Sequence, residues 1–121
     1  MAIAKWIVFV LAALQGAWLA FDGMRALTVG DYVTATSGRR AGQLGPWSKV
    51  LAAVGLSPRG TPVKLLHVIY GVAWLVAAAS WAAGQSFAWW IIAICAAGTL
   101  WYLPIGTVAS LIVLVLIWCL R

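Results

Sequence analysis

LLHVIYGVAWLVAAASWAAGQSFAWWIIAICAAGTLWYLPIGTVASLIVLVLIWCL, residues 65–120, contains no Asp, Glu, Lys or Arg. A stretch of this length without charge has no solvated face to offer water, so its natural medium is a lipid bilayer. Hydrocarbon admits only chains whose backbone groups bond to one another, as in helices or closed barrels. Runs that are continuously apolar, rather than alternating apolar and polar, specify helices. The expected fold is therefore all-α: an integral membrane helical bundle forming a single domain over residues 1–121.

A hydrocarbon core about 30 Å thick takes roughly 20 helical residues to cross. Within the quoted stretch, residues 64–83 form one span of nearly ideal length. Residues 87–120 are too long for one more crossing, and Pro104 followed by Gly106 supplies the break, because proline lacks a donor and disfavours helix at the residue before it. Two short spans are expected there, 87–103 and 105–120. Upstream, residues 4–27 form another span, giving four in all. The alternative is three, with the last stretch merely kinked at Pro104. Trp81, Trp89, Trp90, Trp101, Tyr102 and Trp118 fall near span ends, where aromatic rings favour the headgroup level. Trp18 and Trp74 lie deeper, and their indole N–H groups need partners on a neighbouring helix.

The whole chain agrees with this reading: 65% of it is apolar, and the mean hydropathy is +1.04. Its net charge of +6 arises from eight Lys and Arg against only Asp22 and Asp31. Six of the basic residues, Arg25, Arg39, Arg40, Lys49, Arg59 and Lys64, flank or occupy the connection between the first two spans. Basic residues that border apolar spans act as orientation signals, which excludes nucleic acid as the partner and puts the loop, residues 28–63, in the cytoplasm. Both termini then face out, and the expected location is a bacterial inner (plasma) membrane. A cleaved secretory signal is rejected, since Leu19 stands where an A-x-A site needs a small residue. Cys95 and Cys119 lie within spans at a spacing that suits neither a disulfide framework nor zinc.

The loop carries a helix of its own. Gly45-Pro46-Trp47 reads as a start with proline at the first helical position, and Trp47, Val50, Leu51 and Val54 repeat at helical spacing before Gly55 and Pro58 stop the run. Such an amphipathic helix lies along the membrane surface or packs down onto the bundle. Gly30-Asp31-Tyr32 reads as a turn.

Few residues suggest chemistry. Asp22 and Arg25, three apart on one helix, are positioned to pair, either as an anchor at the interface or as a contact to a subunit or headgroup. His67, the only histidine, is a weak cofactor-ligand candidate, with a proton or quinone role and a carbonyl-satisfied structural role beside it. Gln15 should seek an interhelical hydrogen bond, and around it Ala12, Gly16 and Ala20 form a small-residue row that lets another helix come close. Arg39 with Arg40 suits phosphate headgroups or a partner's acids, and Trp47 suits an interface anchor.

No nucleophile–base pair, metal cluster or cofactor site emerges, so an enzyme is not expected. The expected role is an accessory or scaffold subunit that packs against lipids and against a larger membrane complex or copies of itself. The alternative is a small oligomeric transporter or channel. It is disfavoured because residues 1–21 and 32–121 contain no carboxylate to load and release protons.

Overall fold

A computed structural model of the chain describes residues 2–34, 39, 42–102 and 105–120, and among them every regular element is a helix. Arg40 and Pro104, singled out above, lie outside the described residues. The order is α1 (Ala2–Val29), α2 (Trp47–Ala53), α3 (Thr61–Ala82), α4 (Ala88–Gly98) and α5 (Ile105–Leu120).

Two helices are long and apolar enough to cross a membrane: α1, with 28 residues, extends about 42 Å, and α3, with 22, about 33 Å. They run antiparallel in the most extensive helix contact of the fold. Small residues set that contact. A Cβ on Gly16 would lie 2.8 Å from Gly71 O, and one on Gly23 would lie 2.8 Å from His67 Cβ. The small-residue row expected around Gly16 and Ala20 is thus occupied from within the chain, by Gly71 of α3.

The third and fourth helices are shorter. α4 ends at Gly98 instead of continuing to 103, and its 11 residues extend only about 17 Å, while the 16 of α5 extend about 24 Å. Residues 99–102 turn back instead, with Thr99 N–H bonded to Ala96 O and Tyr102 N–H to Thr99 O. The pair forms a hairpin against α1 and α3.

At one end of the fold Trp81 Nε1 donates to Lys5 O (2.9 Å) and Trp89 Nε1 to Ile117 O (3.1 Å), so the start of α1, the 83–87 turn and the end of α5 are level. At the other end lie the close of α1, the loop helix and the start of α3. The hairpin tip points that way, but it stops beneath α2: the Trp47 ring lies 6.1 Å from Trp101 and 5.8 Å from Tyr102.

In α2, Pro46 stands at the N-cap, one residue outside the helix. Trp47 and Leu51 are buried, whereas Val54 is 70% exposed, so the apolar stripe is narrower than its spacing suggests. Of the two placements open to an amphipathic loop helix, the structure adopts packing onto the bundle.

Candidate functional site

The polar side chains gather in two places, one at the close of α1 and one midway along it. At the close, Gly30 takes φ +110, a value that suits a residue without Cβ, and the chain reverses into 31–33. Asp22 and Arg25 both bond to that segment, and among the described residues no hydrogen bond or close ion pair joins them to each other. Asp22 Oδ1 accepts from Val33 N–H (2.7 Å), and Arg25 Nη1 donates to Asp31 O (2.9 Å) and Tyr32 O (2.8 Å). The expected pair is not the arrangement found. Main-chain groups leaving a helix need partners more than a half-buried arginine does, and three of them are satisfied here by the two side chains.

Asp31 is bonded instead across the loop, to Arg59 (Nε–Oδ1 3.0 Å, Nη2–Oδ2 3.3 Å), whose Nη2 also reaches Gly42 O. The Arg59 guanidinium holds the Asp31 carboxyl below its ordinary value. Tyr32 O–H donates to Pro58 O (2.9 Å), and Lys64 Nζ to Gly30 O (3.2 Å). Burial pushes the Tyr32 phenol above its ordinary value, so it remains a donor at any physiological pH. Both acids of the chain are used to fasten the polar connection to the helix ends. Arg39 and Lys49 are exposed, and no hydrogen bond or ion pair holds either within the described residues.

His67 lies directly beneath this lashing, with no exposed surface. Its Nδ1 is 2.9 Å from Val63 O, and since a carbonyl only accepts, Nδ1 carries the proton and Nε2 presents a lone pair. Four rings surround the imidazole: Trp47 at 4.6 Å, Tyr32 at 4.7 Å, Tyr102 at 5.5 Å and Trp101 at 5.7 Å. The geometry is that of an aromatic core joining α2, α3 and the hairpin tip. Nε2 has no partner among the described residues, nor has Trp74 Nε1, seven residues along the same helix. Of the two deep indoles, Trp18 finds its partner on another element, the Tyr102 hydroxyl at 2.9 Å.

The second place is the middle of α1. Gln15 Nε2 donates to Gly106 O (3.3 Å) and Ser110 Oγ (3.4 Å). Ser110 Oγ lies 2.9 Å from Thr99 Oγ1, which in turn donates to Cys95 O (2.7 Å). Because Cys95 O can only accept, the directions follow: Gln15 to Ser110, Ser110 to Thr99, Thr99 to Cys95. Such a chain is self-polarising and ties α1 to both arms of the hairpin. The sequence pointed to Gln15 as a hydrogen-bonding group but not to Thr99 or Ser110 as its partners, and it marked Tyr102 only as an aromatic near a span end. Hydroxyls are common in helices, and only the fold shows which of them meet.

Cys95 is buried and Cys119 exposed, and both are free thiols. Among the described residues, no group of three or more His, Cys, Asp or Glu side chains is placed to hold a metal ion. Compared with models of known protein families, with curated proteins and with solved structures, the chain matches none.

Proposed function

We propose that this chain is an integral membrane protein with a structural role, an accessory or scaffold subunit that presents its polar loop face to a larger membrane assembly or to copies of itself. The membrane part of the reading rests on how the helices are surrounded. In the most apolar 18 residues of α1 and of α3, only 28% are buried, and Ile3, Leu14, Phe21, Ile69, Val72 and Val76 face outward. The core helix of a soluble protein has the opposite distribution.

The hairpin supports a specific arrangement: α1 and α3 cross fully, while α4 and α5 enter from the side of the chain termini and end short of the far surface. Its turn, residues 99–106, contains no charged residue. Among its described residues, Tyr102 O accepts from Thr107 N–H, Leu100 O from Thr107 Oγ1–H and Gly106 O from Gln15 Nε2–H. Irregular backbone at membrane depth is tolerated under that condition.

One observation carries the scaffold reading. Asp22, Arg25, Asp31, Tyr32, Arg59 and Lys64 all spend their bonds holding the loop in one shape, and Arg39 and Lys49 project from it. Catalysis needs polar groups free to act on substrate, whereas docking needs a fixed surface with exposed recognition groups. The basic loop belongs on the cytoplasmic side by its charge. The test is extraction in mild detergent and copurification. A larger membrane partner at fixed stoichiometry, lost on Arg39→Glu with Lys49→Glu, supports the proposal. A lone dimer that drives proton-coupled substrate flux in liposomes overturns it in favour of a carrier.

A further inference from the structure

Between α1 and α5 an open groove of about 390 Å³ is lined by Leu11, Leu14, Gln15, Trp18, Tyr102 and Ala109. Its walls are almost wholly apolar, and its size is that of a small-molecule site. Two unused hydrogen-bonding positions stand among the residues that line it. Gln15 is only 6% exposed, and its Nε2 is committed to Gly106 O and Ser110 Oγ. The Gly106 carbonyl, which only accepts, fixes the orientation of the amide and leaves Oε1 as the outward acceptor. That oxygen has no partner and is not among the enclosed unsatisfied atoms, so it keeps some open surface, and Gln15 is one of the residues that line the groove. Tyr102 accepts from Trp18 Nε1–H, which can only donate, so its own O–H proton is unspent.

We infer that this groove binds a neutral, membrane-soluble molecule bearing a hydroxyl, such as a long-chain or isoprenoid alcohol or a quinol. A hydroxyl is the group whose chemistry matches both positions, since it can accept from the Tyr102 O–H and donate to Gln15 Oε1. A hydrocarbon tail offers neither bond, and an ester or quinone carbonyl offers only the first. Depth narrows the class further: Gln15 lies near the middle of α1, about 20 Å along the axis from either end, out of reach of a phospholipid phosphate. An unpaired amide oxygen at that level is costly in lipid, and an entering hydroxyl removes the cost.

The experiment uses the full chain in lipid nanodiscs and two photoactivatable probes with a mid-chain diazirine, hexadecanol and the matching hexadecane, with labelled peptides mapped by mass spectrometry. The alcohol should label residues 11–18 and 102–109 about tenfold more than the alkane, the ratio two hydrogen bonds of modest net strength produce. Tyr102→Phe should remove most of that preference. Ala109→Trp, which fills the groove without touching the bonds of Gln15 or Tyr102, should abolish labelling there. Unlabelled oleyl alcohol and an isoprenoid benzoquinol, added separately, show which source of hydroxyl competes. Equal labelling by the alkane, competition by neither compound, labelling unchanged in Ala109→Trp, or cross-links from a second copy seated in the groove would each overturn the inference.

Discussion

Substituting Gly71 by alanine probes the seam on which the fold depends. A Cβ at Gly71 would fall onto the backbone nitrogen of Ala20, 2.6 Å from its Cα and 2.7 Å from its Cβ, where ordinary contact begins near 3.4 Å. The α1–α3 seam would have to open by about 1 Å, and a gap of that size forfeits roughly a quarter to a half of the dispersion energy of each contact it parts. Overpacking costs about 1–3 kcal/mol and sometimes more. This site belongs at the top of that range, because a main chain cannot rotate aside. The helix propensity of alanine over glycine returns at most about 1 kcal/mol. A net loss of about 2 kcal/mol or more is expected in equilibrium unfolding in mixed detergent micelles. The decisive comparison is rescue. Ala20→Gly removes one of the three clashing atoms and leaves the two backbone ones, so it should not restore Gly71→Ala. At Gly98 the added Cβ meets the Tyr70 ring instead, 2.5 Å from Oη and 2.7 Å from Cε1, so Tyr70→Ala should restore Gly98→Ala. If Gly71→Ala unfolds within about 0.5 kcal/mol of the parent, or if Ala20→Gly repairs it, the reasoning about backbone contact fails.

Asp22→Asn keeps an acceptor for Val33 N–H and should be mild, whereas Asp22→Ala leaves that amide unmet and should cost about 1–3 kcal/mol, with faster hydrogen exchange confined to residues 31–33. Arg59 lowers the Asp31 pKa from 3.8, so the stabilisation from this pair is complete above that unfolded value and disappears as the pH falls through the lower folded one. With side chains 49% and 41% exposed, the pair contributes at most about 1 kcal/mol, and the unfolding difference between the parent and Asp31→Asn should vanish in strong acid and shrink in high salt. Cysteine introduced at Leu100, after Cys95 and Cys119 are replaced by alanine, should resist a membrane-impermeant maleimide from both sides, while one at Ser86 should react from the side of the termini. Rapid labelling at position 100 from the loop side would restore four complete crossings.

Much of this protein is legible in its residues alone. The helices follow from uncharged length, and so does the need for a break between residues 87 and 120, although α4 ends at Gly98, before the Pro104 and Gly106 that suggested one. The loop helix follows from Gly45-Pro46 and the spacing of Trp47 and Leu51. Gln15 is conspicuous because an amide inside an apolar run must bond to something. These are local consequences of solvation and backbone sterics, and each depends on a few neighbouring positions. Partnership is a different kind of fact. Asp22 and Arg25 sit at pairing distance along the helix, yet the reversal at Gly30 brings main-chain groups that compete for both. Residues 99–103 carry no signal that separates a helix end from a turn, and α4 stops at Gly98 where the hairpin meets Trp47 and His67 from other elements. The rings around His67 come from positions 32, 47, 101 and 102, and the groove over Gln15 and Tyr102 from helices about ninety residues apart in sequence. Such contacts arise from chain folding over long separations, so only the tertiary structure decides which polar atoms are spent and which still face an open space.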